Sequence, residues 1–475
     1  MSYLNIVVMA AGRGTRMKSQ KPKVLHTLGG IPMLQRVINT VEQLHPQLIA
    51  VVTGFGSEQV KAAIQRTNPD TNLHFVLQEP QLGTGHAVQQ AAPLLPEKDN
   101  QDHDAEDGNS ITVILNGDGP LIEAATVRAL IKASAGKSLA LLTIELDNPT
   151  GYGRIVRTEH GQIQGIVEEK DATAGQRLIR ETNTGVMAVP TRHLKKWLSQ
   201  LTNDNAQQEY YLTDIVAMAV ADKVDIVGVR TTDAIQVAGV NSPAQLAALE
   251  RAYQQRIAAQ LLEQGVRLSD PARLDVRGAL QCGQDVEIDV NCIFEGQVAI
   301  GNNVRIGAHC FISNATIADG AVIHPFTHIE GQKGNNVQVG ANALVGPYAR
   351  LRPGAVLAEN VHIGNFVEIK NATLAQGAKA NHLTYLGDAT VGEKTNIGAG
   401  TITANYDGVN KHKTTIGSQV RVGSNSVLVA PVEIGNRGTI GAGSVITRNT
   451  PENALTLTRA QQVSKPDWKR PEKPT

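Results

Sequence analysis

The sequence predicts a chain of mixed class: a doubly wound α/β domain, a linker helix, and a left-handed parallel β-helix built of hexapeptide repeats. Three observations predict it. From about Ile300 to Ile446 aliphatic residues recur every sixth place: Ile300, Ile306 and Ile312, then Ile317, Ile323 and Ile329, then Val339, Val345, Leu351, Leu357, Ile363 and Ile369. Ahead of that stretch, short apolar runs alternate with helical patterns. Between the two lies a single helical stripe bounded by Ser242-Pro243 and Gly265.

Neither a helix nor a flat strand has a period of six. That rhythm, with glycine at the turns, belongs to a parallel β-helix whose short strands form the sides of a triangular prism. A small residue often follows four places on, as at Val304, Cys310, Ala321, Ala343, Ala349, Ala355 and Val367. Three hexads make one coil, and coils stack about 4.8 Å apart, the spacing of paired strands. A sandwich would instead show alternation of period two and segments of varied length.

Composition sets the outer bounds. A chain of 475 residues is too long for one core. Lys+Arg and Asp+Glu balance at 44 each, which argues against a nucleic-acid partner. No apolar run reaches the roughly eighteen residues of a membrane span. The first acidic residue is Glu42, but Gly12, Gly14 and Pro22 interrupt any amphipathic transit helix. Cys282, Cys292 and Cys310 all fall on inward positions when the hexad register is run backwards, so they read as small apolar core residues. A cytoplasmic protein is the expectation. The expected divisions are 1–241 for the α/β domain, 242–265 for the linker helix, 266–460 for the prism and 461–475 for the tail.

In chain order, Leu4 to Met9 reads as a buried strand running into Ala10-Ala11-Gly12-Arg13-Gly14-Thr15-Arg16-Met17. A glycine-rich turn after a first strand suits close approach of backbone to phosphate. The stretch lacks the Gly-Lys-Ser/Thr of a Walker loop and the third glycine of a dinucleotide fingerprint. Its distinction is charge: Arg13, Arg16, Lys18, Lys21 and Lys23 with no acid nearby. A solvated basic loop is the alternative. Leu48 to Val52, His74 to Leu77 and Ile111 to Leu115 read as further strands, the last ending in Asn116-Gly117-Asp118. Such alternation predicts a mostly parallel sheet with ligands beyond the carboxyl ends of its strands. Cations beside a lone carboxylate there suit a nucleoside triphosphate with Mg²⁺, which keeps waters and takes few protein oxygens. The polar run Glu97 to Asn109 is expected as a surface loop.

The first loop followed by Pro22-Lys23 resembles the signature of the sugar-phosphate nucleotidyltransferases. Four further stretches extend the likeness: Gly83-Thr84-Gly85-His86-Ala87, Thr150-Gly151-Tyr152-Gly153-Arg154-Ile155, Asn183-Thr184-Gly185 and Gly239-Val240-Asn241. With these, nearly the whole chain resembles the bacterial family of bifunctional N-acetylglucosamine-1-phosphate uridylyltransferase/glucosamine-1-phosphate acetyltransferases. The resemblance implies that the backbone of Ala10, Ala11 and Gly12 with Lys23 holds UTP phosphates, and that Gln78, Gly83 and Thr84 read uracil. It implies that Gly153, Glu168 and Asn183 hold N-acetylglucosamine 1-phosphate, and that Asp118 and Asn241 bind Mg²⁺. Arg16 and Lys23 would neutralise charge developing at the phosphates. One departure stands out: the family usually has Tyr-Gly-Asp-Val-Pro-Leu where this chain has Asn116-Gly117-Asp118-Gly119-Pro120-Leu121. The carboxylate is kept and the contact at position 116 is changed.

Ser242-Pro243 predicts a helix start with proline at its favoured first position. Leu246, Leu249, Tyr253 and Ile257 mark its apolar stripe, and about 21 residues give a connector about 32 Å long. Two distant active sites are therefore expected. In the prism, Arg352 follows inward Leu351 and Lys370 follows inward Ile369, one coil later. Stacked at one edge, two such cations favour an anion, and a sugar phosphate fits; solvated surface charge is the alternative. His382 comes two places after inward Ala380, so it should point outward, with Asn365 and Ala399 at the equivalent places on adjoining coils. An outward imidazole beside an anion clamp suits a general base. The repeat breaks at Ala404 to Thr415, where a loop leaves the prism.

The resemblance assigns His382 as base, with Arg352, Lys370, Tyr385 and Asn396 on glucosamine 1-phosphate. It places acetyl-CoA against Ala399, Asn405, Tyr406, Ser424, Ala442 and Arg459, and implies a homotrimer with sites between prisms. The expected function is therefore two reactions that end in UDP-N-acetylglucosamine for the cell envelope. A single-activity sugar-1-phosphate nucleotidyltransferase with a structural or regulatory prism is the second reading, and a non-catalytic nucleotide-sugar sensor the third.

Overall fold

The strand Leu4–Ala10 is apolar along its length because both faces of its sheet are covered. In a computed structural model that describes residues 3–69, 71–96, 110–471 and 473, it lies inside a sheet ordered Ile226–Thr231, Leu139–Glu145, Glu181–Pro190, Ile111–Asn116, Leu4–Ala10, Leu48–Thr53, Leu73–Leu77. Glu181–Pro190 alone in that order runs antiparallel to its neighbours. Successive strand residues face opposite layers. Ile6, Val8, Ile49 and Val51 meet the helices Met33–Glu42, Ser57–Thr67 and Ala124–Ser134. Val7, Ala50 and Val52 meet Thr84–Ala91, Thr191–Leu198 and Ile215–Ala221. Met9 is in register with Asn116, and the Gly117 amide donates to the Met9 carbonyl at 2.9 Å, which carries Asp118 to the glycine-rich loop. The expected surface loop from Glu97 to Asn109 lies outside the described residues.

The chain divides into two compact units, Met1–Tyr253 and Gln254–Thr475, and the helix Pro243–Glu263 passes from one to the other. Ser242 Oγ accepts from the Gln245 amide at 3.2 Å, a side-chain cap on the helix start. Leu249, with Leu246 and Tyr253, packs on Met17, Leu28, Met33, Leu121 and Val240 of the first unit. Further along, Ala258 and Leu261 belong to the core of the second unit, and Ile257 packs against it. Gly265, at φ +90°, follows the helix end.

The second unit is a stack of parallel coils, its strands forming one ladder of 11 and one of 16. All twelve aliphatic positions from Ile300 to Ile369 that define the period are buried. Leu351 pairs with Ile369 and Ile369 with Leu386, so each inward side chain sits on its counterpart one coil away. The turns differ from a simple glycine rule. Asn303, Asn342, Asn360 and Asn371 take left-handed backbone, which asparagine tolerates, and so do His309, Phe326, Tyr348 and Phe366. Cys292 and Cys310 are buried, whereas Cys282 is only half-buried. Its strand, Leu274–Cys282, is the last of its ladder, and its outer edge is capped by the Gln254 side chain at Val276, well away from Cys282. Burial still pushes the Cys282 thiol up to about 11. Between Ile402–Ala404 and Thr414–Ile416 the chain leaves the prism as a loop bridged at Tyr406 and Lys411. Among the described residues no helix is long and apolar enough to cross a membrane.

Ile369 is fully buried with Leu351 and Leu386 as its pairing partners, so Ile369→Ala leaves a void that stacked coils cannot collapse to fill. A loss of about 2–5 kcal/mol is expected in the unfolding of the second unit, read by denaturant titration. A loss under about 1 kcal/mol would show that the aliphatic ladder does not hold the coils.

Candidate functional sites

The carboxyl edge of the first sheet opens into a cavity of about 290 Å³. Ala10, Ala11, Gly12, Lys23, Gln78, Gly83, Thr84, Asn116 and Asp118 line it, joined by Met9, Val24, Gln81, Ala87 and Glu209. Gly14 has φ +61°, and a Cβ there would lie 2.7 Å from Lys23 Cβ, so glycine is what lets Lys23 fold against the loop. Gly83 plays the same part on the far wall, where a Cβ would lie 2.7 Å from the Tyr210 carbonyl oxygen. Thr84 Oγ1 accepts from the Leu212 amide at 3.1 Å, tying that wall to the second helical layer.

Lys23 Nζ donates to Asp118 Oδ2 in a close ion pair and to Asn241 Oδ1 at 3.0 Å. Two hard oxygens from distant parts of the chain thus converge on one cationic point. Among the described residues there is no cluster of three or more His, Cys, Asp or Glu that could hold a metal ion. The Asp118–Asn241 pair suits a cation that takes few protein ligands and keeps its waters, as Mg²⁺ does. Arg16 is not brought into the cavity. The short turn Thr15–Met17 turns Met17 into the core and leaves Arg16 exposed.

Gly153, Glu168 and Asn183 form a separate group that does not line the cavity. The Asn183 amide donates to the Gly153 carbonyl at 2.9 Å, and a Cβ on Gly153 would lie 3.5 Å from each Glu168 carboxylate oxygen. Burial pushes the Glu168 carboxyl up; the carboxylates of Asp214, Asp171 and Glu209 push the same way, against a Thr213 hydroxyl donating at 2.9 Å. Asn116, the departure from the family pattern, links cavity to group: its Nδ2 donates to the Thr184 carbonyl at 3.0 Å, one residue past Asn183. Sequence reasoning passed over Gln81 and Glu209. Gln81 binds Arg13 Nε at 3.3 Å, and its place in a polar loop just past a strand end was a usable signal. Glu209 reaches the cavity from a segment without a motif.

On the prism, Ala380, Ile397, Val422 and Ile440 pair in succession, so the residues two places on, His382, Ala399, Ser424 and Ala442, form one column at an edge. Arg459 continues it: a Cβ on Gly443 would lie 3.9 Å from its Cδ. His382 is exposed, and its coil pairs Asn365 with it directly. The His382 Nδ1–H donates to Asn365 Oδ1 at 2.9 Å, which leaves the Nε2 lone pair facing solvent.

Arg352 and Lys370 stand one coil apart on one side. Arg352 Nη1 donates to Glu368 Oε1 at 2.7 Å. Lysine 411, from the excursion loop, was not singled out in the sequence. Its ammonium, with Arg352, draws Lys370 below the ordinary lysine range. Three cations share one corner, an arrangement that favours an anion. Asn405 Nδ2 donates to Asp388, which anchors the loop root at that corner, and a Cβ on Gly387 would lie against both the Tyr385 hydroxyl and Asn405 Nδ2. Tyr406 is exposed on the loop. Asn396 is not brought to this group; it pairs with Lys379 and Arg421 in the other ladder, on a different side of the prism.

Residues 6–268 match the MobA-like NTP transferase domain, 333–429 the GMPPB C-terminal domain, and 413–448 the bacterial transferase hexapeptide family of six repeats. The chain is 60% identical over 476 residues to the bifunctional protein GlmU of Albidiferax ferrireducens, covering 99% of this chain and 100% of that protein. It is 61% identical over 473 residues to the GlmU of Methylibium petroleiphilum, covering 99% of each. The likeness to the GlmU of Aromatoleum aromaticum is 51% over 470 residues, again 99% of each. Identity sustained through both units means that this chain belongs to the family of the bifunctional protein GlmU.

Proposed function

We propose that the chain performs two reactions: acetylation of glucosamine 1-phosphate by acetyl-CoA, then transfer of UMP from UTP to N-acetylglucosamine 1-phosphate, giving UDP-N-acetylglucosamine and pyrophosphate. The observation that carries this reading is the free Nε2 of His382 at the foot of a column of small and polar residues, in a chain that also holds a phosphate-type cavity. Both co-substrates, UTP and acetyl-CoA, place the work in the cytoplasm.

In the first unit the attacking group is a phosphate oxygen that is already anionic, so no general base is needed. It attacks the α-phosphorus of UTP, one P–O bond forms, and the bond to the leaving pyrophosphate breaks. The chain's part is positioning and charge neutralisation. The backbone of Ala10, Ala11 and Gly12 lines up the phosphates, and Lys23 supplies the fixed cation. Gln78, Gly83 and Thr84 hold the uracil, while Gly153, Glu168 and Asn183 hold the sugar. Exposed Arg16 is assigned to the leaving phosphates, where a flexible arm can reach. Mg²⁺ held by Asp118 and Asn241 would supply neutralisation of phosphate charge when bound.

In the second unit Nε2 of His382 takes a proton from the amine of glucosamine 1-phosphate as the nitrogen attacks the thioester carbon. The C–N bond forms, the C–S bond breaks, and the proton passes to the departing CoA sulfur. Asn365 holds the tautomer that makes Nε2 the acceptor. Arg352 and Lys370, joined by Lys411, take the phosphate of the acceptor, with Tyr385 beside them. Asn396 can serve the same acceptor only from another copy of the chain, since it faces a different side. Acetyl-CoA would lie along Ala399, Ser424, Ala442 and Arg459, with Asn405 and Tyr406 at the loop.

A homotrimer with sites between prisms is part of this reading. What supports it is a ladder of exposed rings: His309, Phe326, Tyr348 and Phe366 stack at 4.9, 5.1 and 5.5 Å between centroids, one ring per coil. Exposed Leu383 adjoins His382 in the next coil. An exposed apolar edge of that regularity suits contact with another copy of the chain.

Asp118→Ala is expected to abolish Mg²⁺-dependent pyrophosphate release and leave CoA release near normal; unchanged pyrophosphate release would move the metal site elsewhere. Conversely, His382→Ala should lower CoA thiol release by about 10²–10⁴-fold while uridylyl transfer persists. Retained acetylation in that variant would remove His382 as base. Phe366→Asp should lower the mass seen by analytical ultracentrifugation and reduce acetyl transfer with it; an unchanged mass rules out this edge as the seam.

A further inference from the structure

Gln78 is nearly fully buried, 2% exposed, yet it lines the nucleotide cavity. Its Nε2 donates to the Gly83 carbonyl at 2.9 Å and faces His86 Nδ1 at 3.2 Å. A carbonyl oxygen can only accept, so the group facing Gly83 is the amino group, and both of its hydrogens are used by the protein. The His86 Nδ1 must then be the acceptor, which sets the neutral ring with its hydrogen on Nε2. Gln78 Oε1 meets no donor among the described residues, and it is not one of the polar atoms sealed away from solvent without a partner. The amide therefore presents its oxygen to the cavity.

We propose that His86 is a positioning residue that locks the Gln78 amide with its oxygen toward the nucleobase, and that this lock selects a pyrimidine carrying a hydrogen on N3. The inference rests on the uridylyl-transfer reading and adds to it the source of base selectivity. Uracil presents N3–H as a donor, which a fixed acceptor pairs with. Cytosine presents a lone pair at N3, which the same oxygen repels. An unrestrained glutamine could rotate its amide and serve either base. Rotation here sets Oε1 against the Gly83 carbonyl and, unless the imidazole moves its hydrogen at the same time, against the Nδ1 lone pair, so both side chains must change together. Without His86 only the Gly83 contact opposes it. His86 sits in the first turn of the helix Thr84–Ala91, whose Gly85 amide donates to the Tyr210 carbonyl at 2.7 Å, and its ring lies 6.1 Å from that of Tyr210.

The test compares wild type, His86→Phe and His86→Asn in pyrophosphate release from UTP and from CTP, with CoA release and melting temperature as controls for folding. Phenylalanine keeps the ring and removes the acceptor; asparagine returns an oxygen near the Nδ1 position. Phenylalanine should cut the UTP:CTP ratio of kcat/KM by about tenfold or more, chiefly through KM for UTP, and asparagine should restore it. A ratio unchanged in His86→Phe, or not recovered in His86→Asn, overturns the proposal. With wild type alone, N3-methyl-UTP should be as poor a substrate as CTP; use at the rate of UTP overturns the acceptor orientation. Failure of wild type to release pyrophosphate from UTP would instead sink the uridylyl-transfer reading.

Discussion

Parallel pairing between successive coils is the constraint on which the second unit depends. Each short strand hydrogen-bonds to its equivalents above and below, and its inward aliphatic side chain rests on the one beneath. Position relative to the nearest inward residue then fixes which way every other side chain faces. Arg352 and Lys370 share a side because both follow an inward residue by one. His382, Ala399, Ser424 and Ala442 share an edge because each follows by two. An insertion cannot be absorbed gradually by such a ladder. Residues 405–413 leave as a complete loop, and pairing resumes between Ala389 and Thr414.

Hydrogen-bond direction does for two histidines what register does for the coils. Imidazole nitrogens are interchangeable in reach and opposite in chemistry, and the neighbour decides which is which. Asn365 presents a carbonyl oxygen to His382, so Nδ1 keeps the hydrogen and Nε2 is left basic. Gln78 presents an amino group to His86, so Nδ1 is the acceptor. One ring keeps its hydrogen on the nitrogen that faces a carbonyl oxygen, while the other turns a lone pair to an amino group. The same economy of sign holds for the lysines. Lys23 is matched by Asp118 and Asn241, whereas Lys370 faces Arg352 and Lys411, with Asp388 acting against them.

The first unit depends on where strands end. Leu4–Ala10 and Ile111–Asn116 run parallel and in register, so the turns that follow them meet on one edge. The backbone amides of the first turn and the carboxylate of Asp118 come together there without either needing a long loop. The group of Gly153, Glu168 and Asn183 is built differently. A carboxyl that burial and three neighbouring carboxylates both push up stays near Thr213, where one hydroxyl offsets part of that cost.

The sequence by itself determined the prism, the alternating α/β unit, the helix between them and the direction of His382. Periods of six and of 3.6 are written in which residues are apolar, and burial follows from them directly. It also determined the glycine-rich loop and Asp118, because motif and strand end coincide. Tertiary structure alone decided what depends on segments distant in sequence with no period or motif of their own. Lys411 joins Arg352 and Lys370 only because a loop folds back on the prism, and Glu209 reaches the cavity only because its segment packs on Gly83. Asn396, which the resemblance assigns to the same sugar phosphate, lies in a different pairing row from Arg352 and Lys370. The half-buried state of Cys282 likewise reflects the end of a ladder, which a repeating pattern cannot announce.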